Sequence, residues 1–180
     1  MVKKEVSVKK ESYKPLKKII FVSVLIIVIG ISVAYIKSSE PASPQKIDGI
    51  ECNQMEQAVF HIHAHLDLYV NGQHRTIPAL IGIIPNSCLY WLHTHDPTGI
   101  IHIEAPEYKT FTLGQFLDIW SKSFKDTGIP SGTPTKAYVN GKEFTGEYRE
   151  ILINAHDEIV LVYGTPPESV PNSFEFPQGL

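Results

Sequence analysis

From Phe60 to Val70 the chain alternates without a break. Ile62, Ala64, Leu66, Leu68 and Val70 share one side, and His61, His63, His65, Asp67 and Tyr69 share the other. A period of two is that of a half-buried strand. Asn71-Gly72 follows, and both residues tolerate positive φ, so a tight hairpin is predicted. Its return strand runs through His74 toward Ile77, with Val70 opposite Gln73 and Tyr69 opposite His74. Cys88 to His95 predicts a further strand. Asp96-Pro97-Thr98-Gly99 carries the residue preferences of a type I turn, and Ile100 to Ala105 returns from it. Pairing His95 with Ile100 sets His93 opposite His102 and Trp91 opposite Glu104.

The pattern then changes period. Thr112-Leu113-Gly114-Gln115 reads as a capping box, with Phe111 and Phe116 placed for a hydrophobic staple. Leu113, Phe116, Leu117, Trp120 and Phe124 fall on one helical stripe suited to covering a sheet. Thr127 to Pro134 ends that helix. Thr135–Val139, the Asn140-Gly141 turn and Lys142–Phe144 predict another hairpin, and Glu158–Tyr163 a last strand. Tyr-Val-Asn-Gly occurs at both 69–72 and 138–141, which common hairpin chemistry explains. The order hairpin, helix, hairpin predicts an α+β fold, β-grasp-like, with an extra N-terminal hairpin. The Pro-rich segment 165–180 is expected to lie along the surface.

Ile19 to Ile36 is an uncharged apolar run. Its length, about 27 Å as a helix, predicts a transmembrane span. Lys14, Lys17 and Lys18 precede it and only Lys37 follows closely, which orients the N-terminus toward the cytoplasm. Ser32-Val33-Ala34 resembles a cleavage site, but the run and its basic leader are long for a signal peptide. The expected organisation is therefore a basic cytoplasmic tail at 1–18 and a transmembrane helix at 19–36. A linker at 37–51, an extracytoplasmic domain at 52–164 and the C-terminal tail follow. The protein is expected at the plasma membrane as a single-pass species. The lipid bilayer is its partner, and a membrane protein is a candidate second one.

Charge sharpens this division. Residues 1–39 hold eight Lys against two Glu, whereas 40–180 hold eight Lys or Arg against seventeen Asp or Glu. The acidic part offers no basic patch to neutralise phosphates, so nucleic acid is not an expected partner. Two cysteines, Cys52 and Cys88, are expected to pair as a disulfide outside the cytoplasm. Metal ligation by their thiolates is the alternative.

The outer domain concentrates its chemistry in histidines. On a strand, residues i and i+2 point the same way, about 6.5–7 Å apart at the root. Two such imidazoles can converge on one ion at about 2.0–2.1 Å. His93, His95 and His102, with Glu104 next on that face, form the sharper candidate site. His61, His63 and His65 either complete it or form a second one. Asp96 is a candidate to orient an imidazole from outside. His74 and His156 are expected to be structural or exposed, and Tyr90 and Trp91 to pack in the core. With two Met, one the initiator, and oxidised cysteines, a Cu(I) site is disfavoured. Imidazole-rich sites suit Zn(II) or Cu(II), with Fe(II) also compatible.

HExxH, G-x-S-x-G, P-loop and GxGxxG motifs are all absent, and the spacing of His93, His95, His102 and Glu104 departs from that of a cupin. The stretches HIHAHLDLYVNGQ and CLYWLHTHDPTGIIHIEAPEYKTFTLGQFLDIW resemble a family of membrane-anchored, exported, His-rich prokaryotic proteins that has no assigned activity. The resemblance runs from about Phe60 to Gly164 and implies that the histidine strands act as one unit. The leading expectation is a membrane-tethered extracytoplasmic metal-binding protein for metal capture, delivery or support of a membrane enzyme. A metal-dependent hydrolase or oxidoreductase is the second reading, with Glu104 or Asp96 as general base. An interaction module with incidental histidines is the third; histidine nitrogens splayed beyond about 8 Å would mark it.

Overall fold

A computed structural model of the chain describes residues 14–38, 45–123 and 128–180, with side chains for 19–32, 45–122 and 128–180. It divides into two units, Met1–Ser43 and Pro44–Leu180.

In the first unit, helix α1 spans Lys14–Ser38. The apolar run is helical, but among the described residues no helix is long and apolar enough to cross a membrane. Lys14, Lys17, Lys18 and Lys37 occupy the ends of α1. The transmembrane anchor and the single-pass plasma-membrane location expected from the sequence are corrected accordingly. Residues 1–13 of the basic tail and 39–44 of the linker lie outside the described residues.

The second unit is mostly β. Its elements are β1 (Cys52–Asn53), β2 (Phe60–Val70), β3 (Gln73–Arg75), β4 (Ile83–Ile84), β5 (Cys88–Tyr90), β6 (Leu92–His93) and β7 (Ile100–Ala105). Helix α2 (Leu113–Ser123), β8 (Lys136–Val139), β9 (Lys142–Phe144) and β10 (Glu158–Tyr163) follow. The main sheet runs β6-β7-β2-β10-β8-β9, and β3 pairs with the far end of β2. A small second sheet runs β1-β5-β4.

This arrangement corrects the expected fold class. The first hairpin is not an extra attached to a hairpin–helix–hairpin core. Its strand β2 sits at the centre, antiparallel to β7 on one side and parallel to β10 on the other. The reason lies in β10: Glu-Ile-Val-Leu-Val-Tyr is buried along its whole length, and such a run needs cover on both faces. The expected strand Cys88–His95 also divides. Its first part pairs with β1 and β4, and its second, after Trp91, pairs with β7.

Helix α2 closes the core face. Thr112 and Gln115 form the capping box: the Thr112 N–H donates to Gln115 Oε1 at 3.1 Å, and the Gln115 N–H to Thr112 Oγ1 at 3.4 Å. Phe111, Leu113, Phe116, Leu117 and Trp120 are buried in one cluster with Leu66, Leu68, Ile103 and Leu161. Phe124 lies outside the described residues. Asn71 and Gly72 adopt φ of 50° and 81°, and Asn140 and Gly141 adopt 51° and 74°, so both hairpins turn as their Asn-Gly pairs require. The C-terminal segment lies against the unit. A Cβ at Gly141 would stand 2.6 Å from the Asn172 Cβ, and the Phe174 ring stacks on His65 with centroids 3.7 Å apart.

Cys52 and Cys88 form a disulfide, as the sequence predicts, across 36 positions of chain. It ties β1 to β5, and Trp91 adds a second tie by donating its Nε1–H to Asn53 Oδ1 at 2.5 Å. Closing a loop of this length is worth about 4 kcal/mol in the chain-entropy model. The double substitution Cys52→Ala/Cys88→Ala should therefore lower unfolding free energy by roughly 3–4 kcal/mol in denaturant titrations. A loss under ~1 kcal/mol would mean that the small sheet holds without its covalent link.

Candidate metal centre

Register builds the site. In the antiparallel pair β2–β7, His63 stands opposite His102 and His61 opposite Glu104. In the pair β6–β7, His93 stands opposite His102, as the sequence predicts. The Glu104 N–H donates to the Trp91 carbonyl at 2.7 Å, which carries the pairing one step past β6. His63, His102 and His93 thus form a row across three strands, on the face away from α2. His95 lies just past β6 on the same side.

The donor atoms converge. His93 Nε2 and His95 Nε2 are 3.2 Å apart, and His61 Nε2 and His63 Nε2 are 3.1 Å apart. Two ligands at 2.0–2.1 Å from one tetrahedral ion stand about 3.3 Å from each other. Glu104 Oε1 lies 3.2 Å from His61 Nε2, 3.6 Å from His102 Nδ1 and 3.9 Å from His93 Nε2. One ligand atom from each of His93, His95, His102 and Glu104 falls in a group no more than 4.8 Å across, and so does one from each of His61, His63 and His102.

His93 is the best-oriented member. Its ring is fully buried, and its Nδ1 lies 2.9 Å from the Tyr90 carbonyl. A carbonyl only accepts, so Nδ1 carries the proton and Nε2 presents its lone pair to His95 and Glu104. A backbone carbonyl that fixes the tautomer is the usual partner of a metal-ligating imidazole. Burial pushes the His93 pKa down to about 4, against the opposing pull of Glu104 and the Tyr90 carbonyl. Burial, with the nearby His102 and His61, takes His63 to about 4 as well. Both rings are therefore in the neutral, ligating form at pH 7. Burial raises the Glu104 carboxyl, but its hydrogen bond to His102 and the neighbouring His93 and His61 outweigh that and hold it below the usual range. Glu104 Oε2 is buried without a hydrogen-bond partner. Such an atom costs about 1–3 kcal/mol if nothing satisfies it, and a cation would.

The rim is open. His61 and His95 are 45% and 42% exposed in their side chains, and His95 Nε2 lies 3.6 Å from Glu56 Oε1. Together the residues fit a divalent cation: neutral imidazoles, one ionised carboxylate and ligand spacings of the right size.

His65 stands apart from the other five. It shares their face, but its Nε2–H donates to the Thr98 carbonyl at 2.8 Å and its Nδ1 lies 2.8 Å from Glu158 Oε2. Phe174 caps the ring. Burial lowers the His65 pKa, yet the bond to Glu158 outweighs it and the net shift is upward; burial raises Glu158. The pair shares a proton between β2 and β10. His65, Asp67 and Glu158 also gather their donor atoms within 4.8 Å, but the two His65 nitrogens are already occupied.

Other expected participants are elsewhere engaged. Asp96 Oδ1 accepts hydrogen bonds from the Thr98 N–H and hydroxyl, which closes its own turn. His74 Nε2 contacts Asp67 Oδ1 at 2.9 Å, and His156 stacks on Phe176. Tyr90 and Trp91 are buried. Sequence reasoning missed Glu158 and the Tyr90 carbonyl. The first had a signal, a charged residue heading an otherwise apolar strand; the second had none, because any residue supplies a carbonyl.

In the metal-free protein, His93 and His63 should titrate near pH 4 when followed by their ring Cε1 proton shifts. The folded state binds these protons more weakly than the unfolded chain does. Each ring thus contributes stability above about pH 6.5 that is lost as pH falls toward 4. Titration of both rings at 6.5 would refute the buried, neutral assignment.

Compared with protein-family models, with curated proteins and with solved structures, the chain matches none of them.

Proposed function

We infer that the protein binds a divalent metal ion through His93, His95, His102 and Glu104, and that its role is metal capture or delivery. The observation that carries this reading is the His93 ring, buried and held by the Tyr90 carbonyl so that Nε2 faces His95 Nε2 at 3.2 Å. Two imidazoles at that distance need either a proton or an ion between them. Nitrogen-rich donors with one carboxylate favour Zn(II) or Cu(II). The disulfide suits an oxidising compartment, in which thiol ligands are not available to compete.

Two observations favour binding over the rival readings. Asp96 Oδ1 is taken up by Thr98, and Glu104 lies inside the ligand set, so neither carboxylate stands ready as a general base. Separations of 3.1 and 3.2 Å between histidine nitrogens are far below the splayed geometry of an interaction module with incidental histidines.

Plasma mass spectrometry of the purified protein should find at least one equivalent of Zn or Cu, either as isolated or after incubation and desalting. The variant His93→Ala/His102→Ala should lose it, whereas His74→Ala should keep it. A parent protein that retains neither metal after incubation would end this reading.

A further inference from the structure

Six side chains crowd the three strands β2, β7 and β6, and one four-coordinate ion uses no more than four of them. The donors are also grouped in a particular way. Each outer strand contributes a pair whose Nε2 atoms are 3.1–3.2 Å apart: His61 with His63 on β2, and His93 on β6 with His95 just beyond it. The middle strand contributes His102 and Glu104. Strands are spaced ~4.8 Å apart, so the outer pairs rise from backbones nearly 10 Å apart. The donor atoms follow that division: His61 and His63 gather with His102, and His93 and His95 gather with His102 and Glu104, each group within 4.8 Å.

The middle residues reach each pair. The His102 ring centroid is 4.6 Å from that of His63 and 4.5 Å from that of His95. His102 belongs to both donor groups, and it is the one residue that does. Glu104 Oε1 approaches His61 on one side and His93 on the other, at 3.2 and 3.9 Å. An imidazole is shared by two ions only as imidazolate, its remaining N–H proton released to solvent on binding, whereas a carboxylate offers two oxygens as it stands. Its negative charge also offsets part of the repulsion between two cations.

We propose that the face binds two divalent ions, one held by His61 and His63 and one by His93 and His95, with His102 and Glu104 between them. The ions would lie over the two neighbouring gaps of the sheet, on the order of 5 Å apart. The proposal rests on the metal-binding reading above and goes beyond it in number and in the role of β2. Its biochemical consequence is a paired-ion centre whose outer ligands, His61 and His95, face solvent.

Native mass spectrometry of the full chain titrated with Zn(II) counts the ions directly. Two equivalents are expected. His61→Ala/His63→Ala should retain one, His93→Ala/His95→Ala should retain one, and His102→Ala should weaken both. Circular dichroism checks that each variant folds. If either pair variant unfolds, the exposed single substitutions His61→Ala and His95→Ala decide instead, each weakening only one of the two equivalents by at least tenfold. One equivalent in the parent, lost with the β6 pair and indifferent to the β2 pair, would overturn the two-ion proposal and leave the metal-binding function intact. No Zn(II) bound at all would overturn both.

Discussion

The site depends on the register of three strands. His63, His102 and His93 stand in one row only because β2, β7 and β6 pair as they do. Side chains alternate with a period of two, so a slip of one residue would carry every histidine of a strand to the helix side. The apolar half of each strand forbids that slip. Ala64, Leu66 and Leu68 on β2, and Ile101 and Ile103 on β7, are buried on the opposite face beneath α2. Burying one such leucine or isoleucine is worth about 1.5–3 kcal/mol, so the core penalises any register that would scatter the histidines. Packing on one face thereby positions chemistry on the other.

Much of this was legible from local pattern. Strict alternation gave the face of each histidine, the two Asn-Gly pairs gave the turns, and Thr112 with Gln115 marked the start of α2. His93 opposite His102 followed from counting back through the Asp96–Gly99 turn. What was not legible is non-local. Nothing near Glu158 says that β10 will lie parallel to β2, and only that pairing brings Glu158 against His65 and withdraws His65 from the other five. The change of sheet at Trp91 was equally hidden, because Cys88–His95 reads as one uninterrupted strand. For Ile19–Ile36, hydropathy identified a helix, and the membrane span inferred from it was not upheld.

The histidine face differs from an ordinary solvent-facing sheet surface in how much of it is buried. His63, His65, Asp67, His93, Glu104 and Glu158 are all at most 8% exposed. Burying polar groups is costly unless each is paired. Toward β10 the pairing takes up both His65 nitrogens and joins Asp67 to His74, with Glu158 Oε1 left over. Toward β6 it is incomplete, since Glu104 Oε2 has no partner and His93 turns a lone pair toward its neighbours. The same sheet face thus holds, on one side, a histidine with both ring nitrogens engaged and, on the other, one whose lone pair is turned toward a further imidazole. A buried group without a partner calls for one, and at Glu104 the adjoining imidazoles make a cation the fitting partner.

The disulfide bears on this cluster through a short path. Cys88 opens the segment that runs through Tyr90, whose carbonyl fixes His93, and Trp91, whose carbonyl receives the Glu104 N–H. Cys52 and Asn53 hold that segment from the other side, through the covalent bond and the Trp91 indole. Residues 55–57 leave β1 to line a crevice against His93 and Glu104, and Glu56 comes near His95. The covalent link therefore anchors the strand that orients the key imidazole and the segment that walls the cluster. An oxidising compartment would keep both in place. Reduction would remove one tie on the segment leading into β6, which pairs with the main sheet along two residues, whereas the β2–β7 ladder, with six paired positions, holds its histidines in register without help from the disulfide.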